Sequence, residues 1–215
     1  MNEASISGYR YAHAGLNESH DVLLPAVVRL LDDMQRTGID GGQGGRRLFE
    51  LGCGNGSVAN ALAQRGWEVT GVDPSEQGIA QAQSVYPHLR LERGSAYDDL
   101  AARYGRFPVV VSLEVVEHVY TPRVYARTVF DLLESKGVAI LSTPYHGYWK
   151  NLALAVTGRM DAHFTALWDH GHIKFWSTKT LRELLREAGF VDIRFERVGP
   201  VPPLAKAMIA IARKP

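Results

Sequence analysis

Features that direct a chain to a special environment are scarce in this sequence. Cys53 is the only cysteine, so no disulfide can form within the chain. No apolar run reaches the roughly 18 residues that a membrane-spanning helix needs, and the stretch MNEASISGYRYAHAG lacks the basic-then-apolar pattern of a secretion signal. We therefore expect a cytoplasmic protein without a transmembrane segment.

A surplus of charge of either sign is also lacking. Lys and Arg number 24 against 23 for Asp and Glu, a net charge of +1. This balance argues against a nucleic-acid partner and favours a small molecule. With 215 residues and 46% hydrophobic content, the chain suits one compact domain. We expect a monomer or a homodimer.

Apolar segments alternate regularly with segments of helical spacing. After an N-terminal helical segment and linker (1–45), a domain over 46–215 is predicted to be α/β: a Rossmann-like, doubly wound, mostly parallel seven-stranded sheet. The last two strands are joined by the short GPVPPLA and should pair antiparallel at one edge. The predicted strands are 47–51, 68–73, 89–92, 109–113, 138–142, 191–197 and 206–212. The predicted helices after the linker are 57–65, 76–86, 122–134 and 178–188.

LFELGCGNGSVA, residues 48–59, predicts a ligand-binding loop between a strand and a helix. Its three glycines let a ligand approach the main chain without meeting a Cβ. Asp73 ends the next strand about 20 residues further on, where a carboxylate can bind ribose hydroxyls; capping the following helix is its alternative role. GNGSVA also fits a dinucleotide fingerprint, but Glu50 would repel a pyrophosphate and suits a positively charged ligand. A glycine turn without a ligand is the other alternative.

Four stretches, ELGCGNGSVA, VTGVDPS, VVVSLEVVEHV and VAILSTPYHGYWKN, resemble successive motifs of the class I S-adenosylmethionine-dependent methyltransferases. The ubiquinone-biosynthesis O-methyltransferase group is the most similar. The resemblance covers roughly residues 46–213 at fold level, and its group-specific part is mainly 109–149. It implies S-adenosyl-L-methionine as the cofactor. The residues that it implies for cofactor binding are Glu50, Gly52, Cys53, Gly54 and Gly56 around the methionine part, Asp73 and Pro74 at the ribose, Ala96 and Tyr97 beside the adenine, Leu113 near the sulfonium, and Tyr11, after Tyr9 and Arg10, in a flexible segment that closes over the cofactor carboxylate.

Glu114, Glu117 and His118 stand at i, i+3 and i+4 and would share one face if a helix begins there. Two carboxylates and an imidazole can hold a divalent cation, and the resemblance implies a Mg²⁺ site at these positions. The alternative is a metal-free role in which His118 packs beneath the cofactor.

Residues 144–177 are too long for an ordinary connection and predict a lid inserted after the fifth strand. Tyr148, Leu152 and Val156 are spaced as on an amphipathic helix over the cleft. The same pattern is compatible with peripheral membrane contact, although packing onto the domain is favoured. Of the lid histidines, His146 and His170 are the predicted catalytic bases. His172 is as compatible with a structural role.

These observations predict a methyltransferase that acts on a small-molecule acceptor, with a hydroxyl oxygen as the favoured target. Methyl transfer from a sulfonium is an in-line displacement, so a base or a cation for the acceptor proton is the chemistry the protein must supply. The alternatives are methylation at nitrogen or carbon, a nicotinamide-dependent oxidoreductase, and a non-catalytic cofactor-binding partner protein.

Overall fold

Strands and helices alternate along the chain in the computed structural model, which describes residues 11, 13–36, 38, 46–164, 166–169, 171–199, 201 and 204–215. The strands are β1 (Arg47–Leu51), β2 (Glu68–Asp73), β3 (Arg90–Arg93), β4 (Phe107–Leu113), β5 (Leu133–Pro144), β6 (Val191–Val198) and β7 (Ala207–Arg213). The helices are α1 (Glu18–Arg36), α2 (Ser57–Ala63), α3 (Glu76–Val85), α4 (Leu100–Tyr104), α5 (Pro122–Leu132), α6 (Tyr148–Val156), α7 (Met160–Phe164) and α8 (Thr178–Glu187).

All seven strands form one sheet in the order β3-β2-β1-β4-β5-β7-β6. The pairs among β1 to β5 are parallel, and β7 runs antiparallel to both β5 and β6. The predicted antiparallel pairing at one edge is confirmed, with β7 as the reversed strand and β6 outermost. Strand order reverses between β1 and β4, and ligands of such sheets bind beyond the carboxyl ends of the strands at this point.

Both faces of the sheet are covered by helices, which confirms the doubly wound α/β class. Buried side chains of α1, α2 and α3 form a core with one face, and those of α4, α5 and α8 form a core with the other. Ser177 and Thr180 form a reciprocal capping box at the start of α8. Gly189, with φ of +101°, follows the end of this helix, where glycine is favoured.

The segment between β5 and α8 forms two short helices, α6 and α7, where the sequence predicted a lid. The predicted apolar face of α6 does not pack over the cleft, because Tyr148, Leu152 and Val156 are exposed by 74%, 41% and 79%. Lys150 is the buried side chain of this helix instead, and its ammonium donates to the carbonyl of Lys206 at 3.4 Å. The helix is therefore held by a lysine rather than by the apolar stripe.

Within the described ranges, no helix has both the length and the apolar content required to span a bilayer.

Candidate active site

A cleft of about 360 Å³ lies at the carboxyl ends of β1, β2 and β4. It is bounded by the loops that follow these strands, the N-terminal segment and the segment before α8. Most predicted site residues line this cleft, and three of those described, Gly56, Glu117 and His146, are not among its lining residues. Those that line it are Tyr11, Glu50, Gly52, Cys53, Gly54, Asp73, Pro74, Ala96, Tyr97, Leu113, Glu114 and His118.

Glycine is required in the loop after β1 for conformation and for space. Gly52 and Gly54 have φ of +88° and +52°, in the left-handed region that side chains disfavour. A Cβ on Gly54 would lie 2.5 Å from the Tyr11 hydroxyl oxygen, and one on Gly52 would collide with Val115. Tyr11 and Val115 both line the cleft, as do the two glycines. The backbone of Gly52 and Gly54 therefore faces the cleft.

The Asp73 carboxylate is fixed at the end of β2 and is only 7% exposed. Its Oδ2 accepts the N–H of Gly54 at 3.0 Å, and its Oδ1 accepts the N–H of Ser75 at 2.8 Å. Burial raises its pKa to about 6, and the two N–H groups partly offset this rise. Ser75, not Asp73, caps α3, since its hydroxyl accepts the N–H of Gly78. The carboxylate thus links the glycine loop to the start of α3, and its contact with a ribose stays a prediction.

Glu50 is a buried carboxyl in the floor of the cleft, only 2% exposed. Its Oε2 has no hydrogen-bond partner among the described residues. Burial, and then the nearby charge of Asp73, raise the pKa of Glu50 to about 8. A carboxyl in such surroundings ionises readily only when a cation or donor approaches it. The position suits the ammonium end of a ligand.

The N-terminal segment around Tyr11 crosses the glycine loop and is tied to it by side-chain donors. The Asn55 amide donates to the carbonyls of His13 and Gly15, at 2.8 and 3.2 Å. The Gln81 amide donates to the carbonyl of Tyr11 at 2.8 Å. Tyr11 thereby lines one side of the cleft, and its contact with the cofactor carboxylate stays a prediction.

The loop after β3 forms a third wall, next to Asp73, whose carbonyl accepts the N–H of Gly94 at 3.2 Å. Tyr97 is 39% exposed, and its hydroxyl oxygen accepts the N–H of Tyr120 at 2.9 Å. The carbonyl of Ala96 accepts the Thr128 hydroxyl at 2.8 Å. These contacts tie the predicted adenine wall to the start of α5. The adenine contacts of Ala96 and Tyr97 stay predictions.

The segment Glu114–His118 is a single turn, so the predicted helical face does not exist; α5 begins only at Pro122. Glu114 has a left-handed φ of +55°, which breaks the helical spacing. Its Oε1 accepts the Ser142 hydroxyl at 2.8 Å. Burial raises the pKa of Glu114 to about 7, and this rise is opposed by Ser142 and by the charge of Lys150.

Three potential metal ligands meet next to this turn: Glu117, His118 and His172 each offer one ligand atom, and these atoms lie within 4.8 Å of one another. His172, which sequence reasoning left undecided, joins the group in place of Glu114. Both carboxylate oxygens of Glu117 are buried and make no well-formed hydrogen bond with the part of the chain that the structure describes. Burial and then the charge of Glu114 raise the pKa of Glu117 well above its usual value.

His146, a predicted catalytic base, is 8% exposed and is not among the cleft-lining residues. Its ring stacks on Phe164, with centroids 5.7 Å apart, and meets Phe175 edge-on at 5.1 Å. Burial, followed by the charges of Lys150 and His163, lowers the pKa of His146 to about 4. The other predicted base, His170, lies outside the described residues, as do Tyr9 and Arg10.

Some lining residues were not predicted: His20 and Trp168 face the cleft, as does His172. The Nδ1 atom of His20 accepts the N–H of Asn17 at 3.2 Å, and the Asn17 side chain accepts the N–H of His20. This reciprocal pair is a capping box with histidine in place of the usual Glu or Gln, so the usual signal is absent. The Trp168 ring contacts His172 at 5.3 Å between centroids.

Comparison with known proteins identifies the class. Residues 21–194 match the profile of a methyltransferase domain family. The chain belongs to this family of S-adenosylmethionine-dependent methyltransferases, which confirms the resemblance. The crystal structure of an S-adenosylmethionine-dependent methyltransferase from Mesorhizobium loti superposes with a TM-score of 0.62 at 21% identity, covering 80% of this chain and 92% of that one. It supports the fold alone.

Among individual curated proteins, ubiquinone biosynthesis O-methyltransferases are similar to the chain. The Ruegeria pomeroyi protein is 36% identical over 156 residues, which cover 69% of this chain and 61% of that protein. The Cereibacter sphaeroides protein (strain ATCC 17025) is 34% identical over 152 residues, which cover 67% of this chain and 60% of that protein. The chain therefore spans about three-fifths of the length of these relatives.

Proposed function

We propose that the chain transfers the methyl group of S-adenosyl-L-methionine to a hydroxyl oxygen of a small aromatic acceptor. The observation that carries this proposal is the group of acid–base side chains on the turn after β4. Glu114 and His118 line the cofactor cleft there, together with His172 from the end of the lid. A hydroxyl must lose its proton on methylation, so a proton acceptor beside the methyl donor suits this reaction.

The cofactor lies across the carboxyl ends of the strands in this proposal. The unpartnered Oε2 of Glu50 accepts from the ammonium group of the methionine part. Asp73 accepts from the ribose hydroxyls while it keeps its bonds to the two backbone N–H groups. The methionine part then passes over Gly52 and Gly54, where no Cβ intervenes. This places the sulfonium near Leu113, at the end of β4.

Transfer itself needs positioning and the exclusion of water more than covalent participation by the protein. The acceptor oxygen approaches the methyl carbon in line with the departing sulfur, and its proton passes to an imidazole of the His118–His172 pair. The His118 Nδ1 lies 3.2 Å from the Gly171 carbonyl oxygen. Because a carbonyl only accepts, Nδ1 carries the hydrogen and Nε2 has the lone pair that takes a proton.

An aromatic acceptor is supported by the ring surfaces of the cleft and by the relatives. Trp168 lines the cleft and meets the His118 ring edge-on, with centroids 5.8 Å apart. Aromatic side chains bind aromatic ligands through offset or edge contacts. The similar curated proteins are named ubiquinone biosynthesis O-methyltransferases.

The second form of the proposal has a divalent cation in place of the histidine base, because a cation would occupy the same imidazole lone pairs; Mg²⁺ is supported only by the resemblance. Glu117, His118 and His172 fit a cation, because their ligand atoms converge and, among the described residues, the buried carboxylate oxygens of Glu117 make no well-formed hydrogen bond. A bound cation would lower the pKa of the acceptor hydroxyl. Glu114, predicted as a ligand, binds the Ser142 hydroxyl instead.

Calorimetry with S-adenosylhomocysteine and with NAD, followed by a methyl-transfer screen, tests the proposed function. We expect binding of S-adenosylhomocysteine alone, and methylation of catechols but not of the matched anilines. Preferential NAD binding would refute S-adenosyl-L-methionine as the cofactor. Labelled methyl on the aniline nitrogen would refute a hydroxyl oxygen as the acceptor atom. Cofactor binding without transfer to any acceptor would favour a non-catalytic cofactor-binding protein.

A further inference from the structure

The segment that leaves the lid is tied to the turn after β4 by backbone and side-chain hydrogen bonds. The N–H of Ile173 donates to the carbonyl of Glu117 at 2.9 Å. The Trp176 indole N–H donates to the carbonyl of Val116 at 3.1 Å. His172 directly precedes the first of these ties, so the backbone sets its position beside Glu117.

His118 is oriented from the same segment. Its Nδ1 donates to the carbonyl of Gly171, the residue before His172, at 3.2 Å. Histidines that bind metals commonly donate their second ring N–H to a carbonyl or carboxylate, which fixes the tautomer and the ring plane. The His118 and His172 rings stand 4.9 Å apart, centroid to centroid, at an interplanar angle of 67°.

The two carboxylates of the turn have different surroundings. Glu117 is 1% exposed, and among the described residues neither of its oxygens makes a well-formed hydrogen bond. The Thr143 hydroxyl and the Glu117 N–H lower its pKa but do not offset the rise that burial causes. The Oε1 of Glu114 accepts the Ser142 hydroxyl at 2.8 Å. Among the described residues, Glu114 is not part of the group of convergent metal ligands. A buried carboxylate without a partner is costly, so Glu117 is the one that a cation would stabilise.

We propose that His172 replaces Glu114 as the third protein ligand of the cation site, which becomes one carboxylate and two histidines. The role of this cation in catalysis rests on the proposed function, whereas the set of ligands does not. Imidazole ligands suit first-row transition ions such as Mn²⁺, Fe²⁺, Co²⁺ and Zn²⁺, whereas Mg²⁺ prefers oxygen ligands. The site should therefore select a transition ion over Mg²⁺.

The separations of the three ligand atoms agree with a metal site once the side chains move slightly towards one another. Ligand atoms about 2.0–2.2 Å from one ion lie roughly 3–4 Å apart. The ligand atoms of Glu117, His118 and His172 lie within 4.8 Å of one another. Side-chain rotations that move each atom by about an ångström bring all three to bonding distance.

Titration with Co²⁺, followed by its visible absorption and by calorimetry, tests this ligand set without any turnover. The full chain is used without an affinity tag, cofactor or acceptor. We expect Glu117→Gln and His172→Gln to weaken Co²⁺ binding by about 10- to 100-fold or more. Glu114→Gln, the matched carboxylate control, and His146→Gln, a buried lid histidine, should leave it within about threefold. Mg²⁺ should compete poorly.

Three outcomes would overturn the inference. In the first, Glu114→Gln abolishes Co²⁺ binding and His172→Gln does not, which assigns the ligands to Glu114, Glu117 and His118. In the second, the wild-type chain binds no Co²⁺, and in the third, Mg²⁺ displaces it stoichiometrically. Circular dichroism identifies variants that fail to fold, and His172→Asn then replaces His172→Gln. Binding of S-adenosylhomocysteine by the same samples is measured separately. Loss of that binding would refute the proposed function, whereas loss of the expected Co²⁺ pattern would refute only the ligand set.

Discussion

Replacing Asp73 by asparagine separates the ligand role of this carboxylate from its structural role. The carboxylate accepts the N–H groups of Gly54 and Ser75 and is 7% exposed. An asparagine side chain offers one oxygen in place of two. One of these N–H groups would therefore face the NH₂ group of the amide, and the charge that receives the ribose hydroxyls would be absent.

The structure gives a magnitude for each loss. A hydrogen bond to a charged group contributes about 1.5–3 kcal/mol, so we expect the affinity for S-adenosylhomocysteine to fall about 10- to 150-fold. A buried N–H without an acceptor costs about 1–3 kcal/mol, so the free energy of unfolding should fall by a similar amount. Asp73→Ala removes both acceptors and should lower stability further while the fold is kept.

Calorimetric titration measures the affinity, and urea unfolding measures the stability. Ser75→Ala is the control, because it removes the hydroxyl that caps α3 but no predicted cofactor contact. It should cost about 1 kcal/mol of stability and leave the affinity unchanged. If Asp73→Asn binds S-adenosylhomocysteine as tightly as the wild type, Asp73 does not bind the ribose. If Ser75→Ala weakens binding equally, the effect is structural.

Two further predictions concern the loop and floor of the cleft. Gly54→Val should abolish S-adenosylhomocysteine binding in calorimetry, since its Cβ would lie 2.5 Å from the Tyr11 hydroxyl oxygen. Gly105→Val, at φ of +80° in open space, is the matched control for strain; equal loss of affinity there would contradict a steric cause. Burial holds the pKa of Glu50 at about 8 in the folded chain, against 4.5 as its ordinary value. The unfolded chain therefore releases this proton first, and the stability of the ligand-free protein should fall by about 2 kcal/mol from pH 6.5 to 8.5 through Glu50 alone. Glu114, whose folded pKa is about 7, adds to the fall. In urea unfolding, Glu50→Gln should remove the Glu50 part of the slope, and an unchanged slope would contradict the buried state of this carboxyl.

The fold was largely predictable because its signals are local. Buried strands are visible in the sequence as short apolar runs. Helices are visible as amphipathic segments with N-terminal signals such as Thr121 before Pro122. The bounds of β1 and β2 were predicted correctly at both ends. α4 was missed because its five residues are too few to show a helical period. β5 was predicted too short, since its first residues continue directly from α5.

The predicted cofactor positions depend on the loops after β1 and β2, where glycine and acidic residues are visible in the sequence. The predictions for the reacting end were weaker because they depend on contacts between distant segments. His172 and His118 are 4.9 Å apart between ring centroids, although α5, β5 and most of the lid lie between them in the chain. The apolar spacing of α6 was misleading, since Lys150 rather than the Leu152 face is buried.

The two carboxylates after β4 show why residue spacing alone cannot assign a metal site. In a helix, Glu114 and Glu117 would project from one face, but the left-handed φ of Glu114 changes the direction of the chain between them. Glu114 then meets the Ser142 hydroxyl and the charge of Lys150, whereas Glu117 meets the segment that carries His172. Glu114 accepts a hydroxyl hydrogen bond, whereas among the described residues Glu117 makes no well-formed hydrogen bond, and the Thr143 hydroxyl and its own N–H do not offset its burial. A cation would be drawn to the second carboxylate, and with it to the histidine that the lid segment brings there.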